Sequence, residues 1–282
     1  MNVDMENLRQ WIGKTESLSD VVTPVPITAL AATLDIDATF DRLPPLWHWL
    51  YFLPVYRWSD LGQDGHPKRG GFLPPVPLPR RMWAGGRVEF QHALRTGERI
   101  TRTSRIVNVQ FKEGRTGPLV FVLVQHQIRD PQGIALTEEH DIVYRELSAV
   151  GTGAPAPAPD DAVWERVIHP DDVLLFRYSA LTFNGHRIHY DRRYATEVEG
   201  YPGLVVHGPL IATLLVDLVR LNLPQAVVTR FEFRAVSPLF DTEPFSVCGK
   251  LEGGGATIRL WAKNSAGGLA MTATAVISPP DV

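Results

Sequence analysis

Residues 208–222 have the sequence GPLIATLLVDLVRLN, and this stretch decides the prediction of the fold. Pro209 suits the first turn of a helix, where no N–H donor is needed, and Pro224 lies just beyond the other end. Between the two prolines only Asp217 and Arg220 are charged. A helix that is apolar almost all the way round is buried. We therefore predict one central helix enclosed by other elements.

Four strands are predicted after this helix. Along residues 230–235 the side chains alternate, with aromatic Phe231 and Phe233 on one face and charged residues on the other. Further strand patterns cover residues 245–251, 257–263 and 269–277, with turn residues between them. One buried helix followed by an antiparallel meander is typical of an α+β fold, in which a curved sheet wraps around the helix.

The first half of the chain repeats this pattern weakly. The sequence RVEF at 87–90 matches RFEF at 230–233, TGERI at 96–100 aligns with DTEPF at 241–245, and GIALT at 133–137 matches GLAMT at 268–272. Three matches in the same order indicate a duplicated unit. On this alignment, residues 46–52 take the place of the central helix, and residues 27–35 take that of a histidine-bearing segment at 178–191.

The duplication predicts two domains of similar size. Residues 1–150 form the first, residues 163–282 form the second, and residues 151–162 join them. The joining sequence, GTGAPAPAPDDA, alternates Ala and Pro, which favours an extended and semi-rigid linker. The two units form either two curved antiparallel sheets or one continuous sheet, each unit wrapped on its own helix.

Residues that could carry out chemistry are concentrated in the second half. The sequence YSALTFNGHRIHYD occupies 178–191, and VVHGP follows at 205–209. His189 can transfer a proton near neutral pH, and Asn184 can both donate and accept a hydrogen bond. Gly208 opens the predicted helix, where free N–H groups favour a developing negative charge. These three residues suit addition of water across a double bond conjugated to a thioester, because an enolate oxygen must be stabilised.

This segment resembles the motif of the MaoC-like, hot-dog-fold (R)-specific enoyl-CoA hydratases. That motif has an Asp, a His five residues later, and a His-Gly pair at the start of the hot-dog helix. Asn184, His189 and the pair His207-Gly208 occupy these places. The sequence FNGHRIHYD most resembles the corresponding segment of type 2 3-hydroxyacyl-thioester dehydratases and of mesaconyl-C4-CoA and itaconyl-CoA hydratases.

The resemblance implies a double hot-dog fold with one active site, in the second half. The first half then helps to form the tunnel for the acyl and CoA groups, and the substrate is an acyl-CoA that supplies its own CoA, with no other cofactor. Asn184, His189 and Gly208 are the expected catalytic residues. The expected substrate-binding residues are Tyr178, Arg187, His207 and Pro209.

Two positions depart from the common motif. Asn184 stands where the motif has Asp, and an amide cannot act as a general base, so we expect Asn184 to hold the water and His189 to carry the protons. Arg187 stands where the motif has Pro. It pairs either with a carboxylate on the substrate, which would favour a dicarboxylic acyl group, or with Asp191.

Composition excludes several classes of protein. A net charge of −3 gives no reason to expect nucleic acid or a membrane surface as a partner. The single cysteine, Cys248, cannot form a disulfide within the chain or a cysteine-based zinc cluster. His186 and His189 lie three residues apart, but no third ligand is near them in the sequence, so no metal is expected. Without a signal peptide or a long apolar run, we expect a cytoplasmic protein, and its sheet edges or faces could support a homodimer.

Several alternatives remain open at this point. Lys68, Arg69, Arg80 and Arg81 flank a loop rich in Gly and Pro at residues 54–82, and they either contact CoA phosphates or form a solvated face. The favoured function is hydration of a short, branched or dicarboxylic 2-enoyl-CoA. The alternatives are a 3-hydroxyacyl-thioester dehydratase of fatty-acid synthesis, a non-catalytic acyl-CoA-binding module, and a thioester hydrolase.

Overall fold

The computed structural model describes residues 3–37, 40–114, 117–146 and 155–278. The helices are α1 Met5–Arg9, α2 Pro24–Thr33, α3 Asp172–Leu181 and α4 Gly208–Asn222. The strands are β1 Thr15–Val21, β2 Arg80–Phe90, β3 Arg99–Gly114, β4 Gly117–Asp130, β5 Gly133–Arg145, β6 Trp164–Ile168, β7 Val227–Ala235, β8 Phe245–Leu251, β9 Thr257–Asn264 and β10 Leu269–Ser278. Short 3₁₀ turns lie at Trp47–Leu50, Trp58–Asp60 and Arg187–His189, and a π turn lies at Tyr194–Val198.

All ten strands belong to one sheet, in the order β1-β3-β4-β5-β2-β7-β10-β9-β8-β6. Each half, followed inward from its outer edge, presents its first, third, fourth, fifth and second strand in turn. Every neighbouring pair of strands is antiparallel. The chain therefore has an α+β fold with the continuous sheet, the second of the two arrangements that the sequence predicted.

The two halves meet where β2 pairs with β7. Arg87 lies opposite Glu232, and Glu89 lies opposite Arg230, so opposite charges face each other on both sides of the centre. RVEF at 87–90 and RFEF at 230–233 therefore lie in corresponding strands of the two halves and pair with each other.

The third sequence match is offset by two residues from the first. The segments 133–137 and 268–272 both open the last strand of their halves. Thr137 lies opposite Glu89, whereas the residue opposite Glu232, the counterpart of Glu89, is Thr274 and not Thr272. The first and third matches therefore differ from each other by two residues when both are placed on the strand pairing, and short apolar strands fit equally well in steps of two.

The helix α4 has the bounds that the sequence predicted, and it forms the centre of the second half. Every residue from Leu210 to Val219 is buried, and the helix packs against strands β7 to β10. Its buried Asp217 carboxylate lies 2.7 Å from the Arg220 guanidinium and 3.7 Å from that of Arg166. The charge inside this helix is therefore neutralised by neighbouring arginines.

The first half has only the short 3₁₀ turn Trp47–Leu50 at the position of α4. Residues 27–35 were aligned with the segment 178–191, but they lie mostly in α2, and the counterpart of α2 in chain order is α3. Both helices are followed closely by a non-glycine residue with positive φ, Asp35 at 53° and Phe183 at 50°. The counterpart of the segment that begins at Asn184 therefore begins after Asp35, where residues 36–41 also contain no histidine.

The predicted domain boundaries are not tested by this arrangement, because the sheet runs through both halves. Residues 151–154 of the predicted linker lie outside the described residues. The following part runs beside the start of β10, where Leu269 N–H donates to Ala156 O at 2.8 Å and Pro157 pairs with Gly268. Within the described ranges, no helix is both long enough and apolar enough to cross a membrane.

Candidate active site

A cavity of about 2850 Å³ is lined by residues of both halves. The three residues predicted to be catalytic, Asn184, His189 and Gly208, all line it. The cavity is larger than most pockets for small ligands, so it can receive a substrate as large as a CoA thioester.

His189 has the geometry of a buried neutral base. It lies at the end of the 3₁₀ turn Arg187–His189 and is only 8% exposed. Its Nδ1–H donates to Val205 O at 2.7 Å. Because a carbonyl oxygen can only accept, this bond leaves the Nε2 lone pair free in the neutral ring. Burial lowers the pKa of His189 to about 4, so the ring is unprotonated near neutral pH.

Asn184 follows the helix α3 and is held in a tight turn. Its Oδ1 accepts a hydrogen bond from His186 N–H at 3.0 Å, and its own N–H donates to Ser179 O at 2.8 Å. The carboxamide oxygen is therefore used by the turn, and the amide NH₂ group is the part that can donate to a ligand.

Gly208 is the first residue of α4 and follows the N-cap residue His207. The N–H of a first helical residue has no acceptor within its own helix. A Cβ atom built on Gly208 would meet nothing within 4 Å, so a ligand can approach the backbone closely at this point. Pro209 follows it and also lines the cavity.

His207 was expected to bind substrate, but it lies behind His189 and does not line the cavity. It is fully buried, its ring stacks on that of His189 at a centroid distance of 3.8 Å, and its Nε2 is hydrogen-bonded to Ser179 Oγ at 2.8 Å. Burial, with the neighbouring His189, holds the pKa of His207 well below its usual value. His207 therefore supports the His189 ring from behind the cavity wall.

Tyr178 belongs partly to the same supporting wall. It lines the cavity, but it is only 2% exposed and its ring lies 5.0 Å from that of His207. Burial raises the pKa of its hydroxyl, which is hydrogen-bonded to Thr213 of α4. The part of Tyr178 that can contact a substrate is therefore its ring and not its hydroxyl.

Arg187 is bound within the protein. Its guanidinium donates to Asp191 Oδ2 at 2.7 Å and to Gln63 O at 3.0 Å, and it lies 4.1 Å from the centre of the Tyr194 ring. Of the two alternatives for Arg187, the structure favours the ion pair with Asp191 over a substrate carboxylate.

The loop before β2 in the first half packs directly on the segment that carries Asn184. Asp64 O accepts a hydrogen bond from Arg187 N–H at 2.9 Å. Gly65 has φ +85°, and a Cβ atom on it would lie 1.8 Å from Gly185 O. Only glycine fits there, so the two halves interlock at the site. The sequence indicated this loop only by its length and its Gly and Pro content, and it did not identify Asp64, Gly65 or His66 as site residues.

His66 and Asp64 of this loop lie against His186. The rings of His66 and His186 are 4.0 Å apart, and Asp64 Oδ2 lies 3.2 Å from His66 Nδ1. Burial lowers the pKa of both histidines. Burial alone would raise the pKa of Asp64, but the hydrogen bonds and charge of His66 outweigh it and the pKa lies below its usual value.

Asp64, His66 and His186 form a group of side chains of the kind that can hold a metal ion. The sequence places no third ligand near His186 and His189, whereas the fold places donor atoms of Asp64, His66 and His186 within 4.8 Å of one another. That Asp64 already accepts from His66 accounts for their proximity without an ion.

A second polar cluster lines the first-half wall of the same cavity. Glu138 is 2% exposed, and its Oε2 accepts from His48 Nε2 at 3.1 Å and from Trp49 Nε1 at 3.0 Å. His140 Nε2 lies 3.2 Å from the same oxygen. Burial alone would raise the pKa of Glu138, but His140 and His48 outweigh it and the pKa lies well below its usual value. This cluster was not found from the sequence, because its members are far apart along the chain.

The fold is of the MaoC-like, double hot-dog type. A solved MaoC-like dehydratase from Phytophthora capsici superposes on this chain with a TM-score of 0.68 at 16% identity, covering 99% of this chain and 100% of that one. This likeness shows the fold that the sequence predicted.

Sequence comparison places the chain more narrowly. The profile of the family hydroxyacyl-thioester dehydratase type 2 matches residues 46–241, and the chain belongs to this family. The mesaconyl-C(4)-CoA hydratase of Chloroflexus aurantiacus is 49% identical over 276 residues, covering 94% of this chain and 95% of that protein. The mitochondrial hydroxyacyl-thioester dehydratase type 2 of Schizosaccharomyces pombe is 30% identical over 272 residues, covering 82% and 88%. The class of enzyme predicted from the sequence is confirmed.

Proposed function

We propose that this protein reversibly adds water to a short 2-enoyl-CoA thioester whose acyl group is branched or dicarboxylic, as in a mesaconyl-C4 or itaconyl thioester. The observation that carries the proposal is the state of His189, whose Nδ1–H is fixed on Val205 O while its ring stays neutral in the cavity wall. The relative from Chloroflexus aurantiacus, similar over nearly its whole length, supports this choice of acyl group.

In the proposed hydration step, His189 Nε2 takes one proton from water. The resulting hydroxide oxygen forms a bond to the β-carbon, and the electron pair of the double bond moves towards the thioester oxygen to give an enolate. His189 then returns the proton to the α-carbon, so one water is added in total and the imidazole is restored. A single positioned base of this kind typically contributes about 100- to 10,000-fold to the rate.

Asn184 and Gly208 assist this step in different ways. The free NH₂ group of Asn184 donates to the oxygen of the water and holds it beside His189, since its Oδ1 is used by the turn. The N–H of Gly208 donates to the thioester oxygen as it becomes negative. Loss of one such donor typically costs roughly 100- to 1,000-fold in rate.

The second candidate is a 3-hydroxyacyl-thioester dehydratase of fatty-acid synthesis, which uses the same steps in reverse. The relative from Schizosaccharomyces pombe favours it, at lower identity. A preference for long unbranched chains or for carrier-protein thioesters would select this candidate. No structural observation favours hydrolysis or binding without catalysis.

The remaining parts of the proposal concern the setting of the reaction. Proton transfer by His189 and the backbone donor require no cofactor or metal, and CoA belongs to the substrate. We propose a cytoplasmic location and a homodimer formed through the outer strands β1 and β6.

The test is to mix the purified full chain with mesaconyl-C4-CoA, itaconyl-CoA, crotonyl-CoA and a long-chain 2-enoyl thioester, and to follow the enoyl absorbance. We expect turnover of the short dicarboxylic substrates to exceed that of the long-chain one. His189→Gln, which keeps the size and polarity of the side chain, should lower kcat by about 1,000-fold.

A matched control is His92→Gln, because His92 pairs with Asp130 outside the cavity and should leave kcat unchanged. Retained binding of butyryl-CoA by His189→Gln would show that the variant is folded. Absence of turnover with every thioester, or full activity of His189→Gln, would contradict the proposal.

A further inference from the structure

The first-half wall of the cavity carries hydrogen-bond donors that have no carboxylate partner. Arg81 and Trp83 share one face of β2, and the residues opposite them on β5 are Tyr144 and Ile142. All four side chains line the cavity. Because cross-strand partners point to the same side of a sheet, Arg81 and Tyr144 lie next to each other on the inner face.

Three other arginines of the cavity wall have acidic partners. The guanidinium of Arg80 lies 3.1 Å from the Glu199 carboxylate, that of Arg187 lies 2.7 Å from Asp191, and that of Arg102 lies 4.0 Å from Glu16. Arg81 has no carboxylate within 4.0 Å in the part of the chain that the structure describes. Its positive charge is therefore available to an anion in the cavity.

The groups beside Arg81 are buried hydrogen-bond donors. Tyr144 is 0% exposed and its hydroxyl interacts with Arg81, while the buried Trp83 Nε1 has no hydrogen-bond partner among the described residues. Leaving a buried donor unpaired is costly, so this part of the wall fits a ligand that accepts hydrogen bonds. Burial raises the pKa of Tyr144 although Arg81 acts against it, so the hydroxyl keeps its proton and can donate.

The charge of Arg81 acts on the catalytic side of the cavity as well. It contributes to the lowered pKa of His66 and of His186, although burial contributes most to both. His186 lies on the segment of Asn184 and His189, and its ring centre is 5.4 Å from that of His189. Arg80, the neighbour of Arg81, binds Glu199, and Glu199 accepts from Tyr194, whose ring lies under Arg187. The start of β2 is therefore packed against the segment that carries the reacting groups.

A dicarboxylic 2-enoyl group needs a cation close to the reacting carbons. In a mesaconyl-C4 thioester, the β-carbon, which receives the hydroxyl group, also carries the free carboxylate. The carboxylate must be desolvated on entering the cavity, and a guanidinium is the side chain best suited to bind it with two parallel hydrogen bonds.

We infer that Arg81, together with the Tyr144 hydroxyl, binds the second carboxylate of the acyl group and selects dicarboxylic thioesters over monocarboxylic ones. This inference rests on the proposed function and extends it to the choice of substrate. It assigns to Arg81 the role that the sequence had left open for Arg187, whose guanidinium is bound to Asp191.

The test compares two saturated CoA esters of nearly equal size. Succinyl-CoA carries a carboxylate on its β-carbon, and butyryl-CoA carries a methyl group there. We expect the wild-type chain to bind succinyl-CoA more tightly in calorimetry. Arg81→Gln should weaken the binding of succinyl-CoA roughly 10- to 100-fold, since a hydrogen bond to a charged group is lost. The affinity for butyryl-CoA should stay within about threefold of the wild-type value. Tyr144→Phe should reduce the preference in the same direction by a smaller factor.

Arg145→Gln is the matched control. Arg145 follows Tyr144 on β5, lines the cavity and has no acidic partner among the described residues, but it points to the other face of the strand. The preference for succinyl-CoA should survive in this variant. Arg81→Lys keeps the charge and should retain part of the preference, which separates loss of the carboxylate contact from loss of folding.

The outcomes separate this inference from the proposed function. Equal weakening of both esters in Arg81→Gln would place Arg81 at the CoA phosphates, and no change would show that it contacts neither group; each result overturns the inference. No preference for succinyl-CoA in the wild type also overturns it, even if crotonyl-CoA is hydrated. Failure of the proposed function would be seen separately, as absence of turnover with every 2-enoyl thioester.

Discussion

Replacing Gly65 by alanine tests whether the interlocked halves matter for catalysis. The new methyl group would lie 1.8 Å from Gly185 O, and contacts of a Cβ atom below 3.0 Å are essentially never seen, so the loop or the segment opposite must move by at least 1.2 Å, the difference between these distances. The clash is between a Cβ atom fixed to the backbone of Gly65 and the backbone oxygen of Gly185, so no flexible side chain can move aside to relieve it.

The expected cost follows from the contacts that this shift breaks. The bond from Arg187 N–H to Asp64 O contributes about 1 kcal/mol, and the charged bond from Arg187 to Gln63 O contributes about 2 kcal/mol. Alanine at φ +85° adds about 1 kcal/mol of backbone strain. A displacement of about 1 Å near reacting groups can cost about 100-fold in rate. We therefore expect Gly65→Ala to lose about 3 to 4 kcal/mol of stability and about 100-fold in kcat/KM.

The assays are urea unfolding and hydration of mesaconyl-C4-CoA or crotonyl-CoA, whichever the wild-type chain turns over faster. Gly70→Ala is the matched control in the same loop. Gly70 has φ +89°, but a Cβ atom there lies 3.7 Å from its nearest neighbour, so only the strain of about 1 kcal/mol is expected. If the two variants have equal stability and activity, the docking of this loop on Gly185 is not what holds the site.

Three further predictions concern the site and its supports. Gly208→Ala should unfold in urea like the wild type, because the new Cβ meets nothing within 4 Å. It should lower kcat/KM at least about tenfold, because the methyl group crowds the thioester. Unchanged activity would show that the substrate does not approach the Gly208 backbone closely. The pKa of His189 falls from an ordinary 6.5 to about 4 on folding, so the free energy of unfolding decreases as the pH falls from 6.5 towards 4, where the unfolded chain binds the proton more readily. Between about pH 7 and 5 the wild type should lose about 2 kcal/mol more of this free energy than His189→Gln. Equal pH dependence of the two proteins would contradict the shift. Glu138→Gln should lower the free energy of unfolding, measured in urea, by about 3 kcal/mol because a buried network loses its charge. Glu139→Gln, which affects a partly exposed pair with Arg87, should lower it by less than about 1 kcal/mol. Similar losses in the two variants would refute this contrast.

Local patterns predicted the second half of the fold closely. The apolar run between Pro209 and Pro224 fixed the helix α4 at the predicted bounds, and alternation located the strands that follow it to within a few residues. These elements could be predicted because their burial depends on spacing along the chain. The first half was harder, since its counterpart of α4 is a single 3₁₀ turn and gives no periodic signal.

The residues of the candidate site divide in the same way. Asn184, His189 and Gly208 lie in a short stretch with a recognisable spacing, and the structure places all three in one cavity wall. His207 and Arg187 were expected at the substrate, but their orientation depends on Ser179 and Asp191, which no spacing rule specifies. Asp64, His66, Arg81 and Glu138 come from distant parts of the chain, and only the sheet register and loop packing bring them to the cavity.

The pairing of β2 with β7 has a consequence for how such a protein can change over generations. In an assembly of two identical chains, any mutation appears twice, so a change that improves one copy of a site alters the other copy as well. Here the two related halves are encoded in one gene, and each can vary alone. The first half has a single 3₁₀ turn in place of the helix and no histidine in the counterpart of the segment that begins at Asn184, whereas Gly65 and the residues around it fit the other half. Division of labour between the halves is therefore heritable in this chain, because one polypeptide carries both halves and the sheet joins them by hydrogen bonds.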